Sequence, residues 1–221
     1  MTKPSDARIY ESRAVVYGAM TRLYLAPPEP EILIDVERTG FLQLMLEVGG
    51  EEAGVGSLLV DSDELSAEFT RLFLGPGHHV SPHASVYRKD EPQSGELWGH
   101  STGEVKRFME HYGLTLHQSA IIPDHIAVLF EFMQQVQMKV HELMTSDRPE
   151  SETKVEIDLA VQVERDFFNN YISGWIDSFL DAVEKANPCL FYAVLARFTR
   201  LFMANERSDL SPDSCTHGST N

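Results

Sequence analysis

The sequence predicts an all-α protein, a bundle of about nine or ten helices. Almost every long segment places its apolar residues at the three-to-four-residue period of an amphipathic helix. Strand patterns are weak, and residues 57–61 form the one plausible short run. Proline and glycine fall between the periodic segments, where helices are expected to end. With 221 residues, 43% of them apolar, the chain is long enough for a packed core.

The first part of the chain predicts three helices. The apolar face of the first helix begins near Ile9, and that helix ends before Pro27. Residues 30–37 and 41–48 form two short helices, separated by Gly40. Residues 50–57 are rich in glycine and glutamate, which favours a loop.

Two more helices are predicted before residue 113. Asp63 or Ser66 is a candidate cap for the helix that carries Phe69, Leu72 and Phe73. Three prolines and three glycines then favour a long loop over residues 75–95. Ser101 or Thr102 would cap the next helix, which Gly113 ends.

The second part of the chain is predicted to contain a central buried helix and three further helices. Pro123 would lie in the first turn of the central helix, where its missing N–H is no loss. The apolar face of that helix comprises Ile126, Leu129, Phe130, Met133, Val136 or Gln137, and Val140. The later helices cover approximately residues 155–171, 173–185 and 188–205. We expect two lobes, residues 1–113 and 123–205, followed by a mobile polar tail over residues 206–221.

Charge and targeting patterns argue against some classes of partner and some cellular locations. The chain has 34 acidic and 18 basic residues, a formal net charge of −16, which argues against a nucleic-acid partner and favours cationic peptides. No apolar run approaches the ~18 residues of a membrane span, and the N-terminus lacks the apolar core of a signal peptide. Cys189 and Cys215 have no metal or redox spacing. We therefore expect a cytoplasmic protein without a membrane span.

Two groups of residues are candidates for a binding site. Phe69, Leu72 and Phe73 follow helical spacing, which is typical of a core face but also of an apolar cleft for a helical peptide. Asp124 and His125 follow a proline, so they fit a helix start. The carboxylate of Asp124 could also pair with an arginine of a partner.

A histidine-rich loop gives an alternative function. His78, His79 and His83 lie within six residues, with His100 further along, and clustered imidazoles can bind zinc. With the Asp124-His125 pair, they suggest a histidine-dependent metal hydrolase. However, the chain has no His-Glu-x-x-His pattern, phosphate loop or nucleophile elbow. The favoured interpretation is therefore a protein that is not an enzyme and carries no cofactor or metal.

An ordered set of motifs resembles a known family. The set comprises Glu68-x-x-x-Leu72-Phe73-x-Gly75-Pro76, Pro82-x-x-Ser85-Val86-Tyr87, Leu97-Trp98-Gly99-x-Ser101-Thr102, Tyr112-Gly113 and Pro123-Asp124-His125. In this order the motifs resemble the TorD/DmsD family of chaperones for molybdenum reductases. The resemblance implies an all-α chaperone that binds the precursor or apo form of an exported TMAO/DMSO-type reductase. Such chaperones bind the twin-arginine signal peptide, the catalytic subunit or both, protect the apoenzyme for molybdenum-cofactor insertion, and hold back export.

The resemblance also implies residues and an oligomeric state. Asp124 and His125 become candidates for the peptide site. The adjoining apolar wall would comprise Phe69, Leu72, Phe73, Pro82, Tyr87 and Trp98. The family includes domain-swapped dimers, so the chain is expected to be a monomer or such a dimer, and a connector near residues 113–123 could permit the exchange. The sequence departs from the family at His83-Ala84, where some members have an aromatic residue.

Overall fold

The computed structural model of the chain describes residues 4–50, 54–58, 61–75, 77, 79–88, 97–113 and 121–211. Within them the fold is all-α, as predicted, and its only β-type pairing is a single bridge between His83 and His125. The ten α-helices of this part of the chain are α1 (Pro4–Leu25), α2 (Pro30–Arg38), α3 (Phe41–Gly49), α4 (Ser62–Phe69), α5 (Ala84–Tyr87), α6 (His100–His111), α7 (Ile126–Thr145), α8 (Glu150–Phe167), α9 (Ile176–Lys185) and α10 (Leu190–Asp209). None of these helices has both the length and the apolar character that a membrane span needs.

Several helix starts differ from the prediction because other residues provide the caps. Asp61 caps α4, since its carboxylate accepts a hydrogen bond from the backbone N of Asp63 at 3.0 Å. His125 caps α7 by accepting at Nδ1 from the backbone N of Ala127 at 3.1 Å. Pro123 therefore precedes the helix and does not lie in its first turn.

Three other segments also differ from the prediction. Helix α6 starts after Gly99, so Ser101 and Thr102 lie inside the helix. The predicted loop over residues 75–95 contains the short helix α5. The possible strand near residue 57 is a 3-10 turn at Val55–Ser57, and residues 59–60 lie outside the described part of the chain.

Two helices end in a π-turn. Thr70–Leu74 continues α4, and Phe168–Ile172 continues α8, in both cases directly after the last α-helical residue. A π-turn adds a residue to the helical repeat and so shifts the face that follows it. In both turns large apolar side chains, Phe73 and Phe168, point into the core.

The core is built around the pairing of α1 with α7. Tyr17 and Tyr24 of α1 contact the ring of Phe130 in α7, with centroid distances of 5.8 and 6.1 Å. Helix α10 packs on α3, where Phe41 and Phe198 meet edge to face at 5.0 Å. One buried apolar cluster thus includes helices from both predicted lobes. The division into lobes stays a prediction, as does the mobile tail.

Helix α10 continues past the predicted end at residue 205. Glu206 is 1% exposed and receives a hydrogen bond from the Tyr17 hydroxyl at 2.7 Å, which holds the last turn of α10 against α1. Leu210 is also buried, and its carbonyl oxygen accepts from the Asn169 side chain at 3.0 Å. Residues 212–221, which make up most of the predicted tail, lie outside the described residues.

Candidate functional site

Three predicted site residues lie in the core. Phe69, Leu72 and Phe73 are 1%, 1% and 3% exposed. The ring of Phe73 contacts Phe69 at 5.0 Å and Tyr192 at 6.0 Å, both in near edge-to-face geometry. A client could reach these side chains only if the surrounding helices separated. Their role in client binding stays a prediction, and in this closed structure their packing stabilises the fold.

Glu68, which begins the first motif, fixes the start of α10. Its Oε1 accepts a hydrogen bond from the backbone N of Cys189 at 2.8 Å. Arg71 bonds both oxygens of Glu68 and also donates to the carbonyl of Ala186 at 3.2 Å. The hydrogen bond from Arg71, followed by the one from Cys189, lowers the pKa of the Glu68 carboxyl. Glu68 and Arg71 therefore join α4 to the connection between α9 and α10.

Asp124 and His125 hold the segment around α5 against the start of α7. Oδ2 of Asp124 accepts from the backbone N of Ser85 at 2.8 Å, and the Asp124 carbonyl accepts from the N of Ala84 at 3.0 Å. Asp124 is fully buried and His125 is 9% exposed. The second oxygen of Asp124 has no hydrogen-bond partner within the described residues. The pair therefore has a positioning role, and one buried oxygen acceptor remains.

His83 and His125 form a pair of neutral imidazoles. Their ring centroids are 5.0 Å apart with nearly perpendicular planes. Burial lowers the pKa of His125 to about 3, and burial also lowers the pKa of His83, which the Asp124 charge partly opposes. Nδ1 of His125 is occupied as the α7 cap, so its Nε2 carries the proton. At neutral pH this pair adds hydrogen-bonding capacity but no charge.

The structure does not gather the remaining predicted residues into one cleft. Pro82 is buried, and its carbonyl accepts from the N of Ile126 at 2.8 Å. Tyr87 is half-buried and stacks on Trp175, with a centroid distance of 5.8 Å. Trp98 is 68% exposed and has a φ of 65°, which costs free energy in a non-glycine residue. Trp98 is thus the one predicted residue whose side chain is largely open to a partner.

The described residues do not favour the metal-hydrolase alternative. Among them, no group of three or more His, Cys, Asp or Glu side chains is arranged to hold a metal ion. His100 lies beside Glu104 on α6, with its Nδ1 3.4 Å from the carboxylate. His78 lies outside the described part of the chain.

An open apolar groove lies on the surface of the described residues, and the sequence patterns did not indicate it. It has a volume of about 1140 Å³ and is lined mainly by α1, α7 and α8. Helix α7 packs against both α1 and α8, so it lies between them. Val15, Met138 and Leu159 line the groove and are 38%, 54% and 57% exposed. Exposed apolar side chains grouped in this way mark binding surfaces.

Gly18 allows a close approach of α7 within this groove. A Cβ added at Gly18 would clash with Nε2 of Gln134, so the Gln134 side chain covers the glycine. A larger residue at position 18 would push this flexible amide outward. The width of the groove at this point therefore depends on a glycine in α1.

A buried polar network adjoins the groove. Nε of Arg13 lies 2.9 Å from Oε1 of Glu206, and its Nη1 lies 3.8 Å from Oε1 of Glu164. Gln137 donates to Glu164 at 2.5 Å, and the Tyr17 hydroxyl donates to Glu206. The network joins α1, α7, α8 and α10. Its members Arg13, Gln137 and Glu164 directly neighbour in sequence the groove residues Ala14, Val136 and Val163.

The network contains more carboxylates than cations. Glu164 and Glu206 are each 1% exposed. Burial raises the pKa of Glu164 to about 7, and the charge of Glu206 adds to this increase while Arg13 opposes it. Burial also raises the pKa of Glu206, against the effect of Arg13. The carboxyl of Glu164 is therefore partly protonated near neutral pH.

Comparisons with known proteins give three findings. A family model described as nitrate reductase delta subunit matches residues 57–181, more than half of the chain. A chaperone protein TorD of Vibrio cholerae is 23% identical over 146 residues, which cover 65% of this chain and 61% of that protein. The chain thus spans about three fifths of the length of that relative. A chaperone protein TorD of Shewanella piezotolerans is 23% identical over 224 residues, 93% of this chain and 95% of that protein.

The fold has a solved counterpart. A crystal structure described as a redox enzyme maturation protein, from Archaeoglobus fulgidus, superposes with a TM-score of 0.55. The match has 21% sequence identity and covers 86% of this chain and 93% of that one. This likeness supports the all-α fold.

Proposed function

Because the chain belongs to the nitrate reductase delta subunit family, we propose that it is a chaperone that binds the precursor or apo form of a molybdenum reductase. The resemblance to the TorD/DmsD chaperones, predicted from the ordered motifs, is confirmed by this family match and by the relatives named TorD. Those relatives are named as chaperones and not as catalysts, which supports the prediction that the chain is not an enzyme.

The observation that carries the proposal is the open apolar groove between α1, α7 and α8. An amphipathic helix of a partner binds best to a groove of this kind, because its apolar face replaces water on both surfaces. The groove volume of about 1140 Å³ is large enough for several apolar side chains of a client. Its side chains lie on long, well-packed helices, so little order has to be gained on binding.

The finer parts of the proposal concern the client. The client is a TMAO/DMSO-type reductase exported with a twin-arginine signal peptide, and the chaperone protects it in the cytoplasm until the molybdenum cofactor has been inserted. The net charge of −16 favours encounter with such a peptide, because its paired arginines are attracted over long range. The chaperone acts as a monomer or as a domain-swapped dimer.

The site residues predicted from the sequence have a secondary role in this proposal. Trp98 and its neighbour Leu97 are exposed and form a further contact surface for the client. Asp124 and His125 position the segment around α5 and the start of α7, so their replacement disturbs this surface indirectly. The free oxygen of Asp124 becomes available to a client arginine only if the segment around Ser85 opens.

Calorimetry tests the proposal with two ligands, a twin-arginine signal peptide and the purified apo form of a TMAO/DMSO-type molybdenum reductase. We expect micromolar or tighter binding to at least one of them at low salt, and weakening at high salt. Leu159→Glu should weaken binding at least tenfold, because it places a charge in the apolar groove. Leu201→Glu is the matched control, since Leu201 is 45% exposed on α10 outside the groove.

Two results would count against the proposal. The first is the absence of binding to either ligand at low salt, with a folded protein by circular dichroism. The second is an equal loss of affinity in Leu159→Glu and in its control, which would indicate a general effect of added charge and not a groove site.

A further inference from the structure

The groove has two ends that the register of the helices defines. Helices α1 and α7 are antiparallel, since Gly18 lies beside Gln134 whereas the Ala7 carbonyl accepts a hydrogen bond from Nδ1 of His141 at 2.9 Å. Helix α8 folds back on α7, and its contact between Gln137 and Glu164 fixes that register. The two ends of the groove therefore have different residues.

The two ends also differ in charge. We call the first end the acidic end; it is formed by Glu11, Glu142, Thr145 and Glu156. We call the opposite end the Arg22 end; it is formed by Arg22, Thr39 and Tyr112. Along α1, the step from residue 11 to residue 22 corresponds to about 17 Å, or three helical turns.

Nearby cations only partly neutralise the acidic end. Lys139 lies 3.2 Å from Glu142, and Arg148 pairs with Glu156 and approaches Glu152 at 3.8 Å. Glu11 adds a further carboxylate, so the three carboxylates of the acidic end lie near two cations. His141, also in the lining, adds a positive charge only when protonated.

The difference between the two ends comes from side chains and not from the helix termini. The last carbonyl groups of α7 lie at the acidic end, but so do the N-termini of α1 and α8, whose partial charges are positive. The side chains at the acidic end are mainly negative. At the Arg22 end the sign is reversed, because the guanidinium of Arg22 donates through Nε to the carbonyl of Gly18 at 3.2 Å and stays beside the groove. The groove therefore has an apolar middle and a potential that changes sign along it.

We infer that the groove binds an apolar helical segment of about three turns with a cationic N-terminal flank, and that this flank lies at the acidic end. The apolar side chains of the segment lie against Val15, Met138 and Leu159. This inference rests on the proposed function, because a twin-arginine signal has paired arginines before its apolar stretch. The client thus enters the groove in one direction only, with its arginines beside Glu11, Glu142 and Glu156.

The test uses three synthetic peptides of equal apolar sequence. The first has two arginines before the apolar stretch, the second has them after it, and the third has two glutamines before it. We expect the first to bind about tenfold more tightly than the other two at low salt. The difference should shrink as salt screens the charges.

Protein variants test whether the carboxylates of the acidic end cause the tighter binding of the first peptide. The triple variant Glu11→Gln, Glu142→Gln and Glu156→Gln should weaken binding of the first peptide about tenfold, with little change for the glutamine peptide. The matched control is the triple variant Glu29→Gln, Glu31→Gln and Glu47→Gln. These three acidic residues lie in or directly beside α2 and α3, outside the groove. Circular dichroism checks that both triple variants are folded.

A spin label on the peptide determines the direction. A nitroxide at the N-terminus of the first peptide should broaden the amide signals of Glu142 and Thr145, and one at its C-terminus those of Thr39 and Tyr112. The reverse pattern, or equal effects of both triple variants, would overturn the inference while peptide binding itself still supports the chaperone function. Binding of the apo-reductase without any peptide binding would also overturn it. The absence of binding to both the peptides and the apo-reductase would instead contradict the proposed function.

Discussion

Replacement of Glu164 by Gln tests the buried network most sharply. Glu164 is 1% exposed, and burial together with the Glu206 charge raises its pKa to about 7, from an ordinary value near 4.5. A carboxyl whose folded pKa is raised binds more protons in the folded state than in the unfolded state between these two values. The free energy of unfolding therefore falls as the pH rises from about 4.5 to 7.

The magnitude follows from the size of the pKa change. A difference of about 2.5 pKa units corresponds to roughly 3 kcal/mol at 1.36 kcal/mol per unit, an upper bound because Glu206 and Arg13 share the effect. Glutamine stays neutral and can still accept the hydrogen bond from Gln137. We expect Glu164→Gln to flatten the pH dependence by about 1–3 kcal/mol and to be more stable than the parent at pH 8.

Urea unfolding followed by circular dichroism at pH 5, 6, 7 and 8 measures this dependence. Glu37→Gln is the control, because Glu37 is exposed on α2 and far in sequence from the network. The reasoning would be refuted by an unchanged slope in Glu164→Gln, or by a loss of stability in this variant at pH 8 equal to its loss at pH 5.

Three further predictions concern the residues identified from the sequence. Phe73→Ala should lower the free energy of unfolding by about 3–5 kcal/mol in urea titrations, since it empties a filled aromatic site, and a cost below 1 kcal/mol would contradict the packing. Asp124→Ala should cost about 1–3 kcal/mol and speed hydrogen exchange at the Ser85 amide, which loses its acceptor; an unchanged exchange rate would show that this bond is not formed. Trp98→Gly should raise stability by about 1 kcal/mol, because glycine adopts a φ of 65° without strain, and weaken client binding; a variant with lower stability would contradict the strain.

The sequence predicted the helices well because their apolar periodicity is local. The face of α7 from Ile126 to Val140 is buried, as its spacing predicted. Helix ends were predicted less accurately. Histidine is not among the residues that usually cap a helix, so His125 was not expected as the cap of α7, and the hydrogen bond from Tyr17 that holds Glu206 joins residues far apart in the sequence. The apolar periodicity of the sequence did not indicate the π-turns.

The candidate site was only partly predictable for a related reason. A buried and a groove-lining phenylalanine or leucine have the same helical spacing, and burial of Phe69, Leu72 and Phe73 is decided by other helices. The groove itself combines side chains far apart in the sequence. The sequence did contain one indication of an exposed apolar surface. Met138 and Leu159 are apolar, and Met138 lies off the predicted core face of α7.

Hydrogen–deuterium exchange with and without the apo-reductase tests most directly whether the client occupies the groove between α1, α7 and α8. We predict slower exchange in residues 11–22, 134–145 and 156–163 on addition of the client, with α9 unchanged. Unchanged exchange in all three segments, with protection confined to residues 97–111 or elsewhere, would contradict the assignment of this groove as the client site.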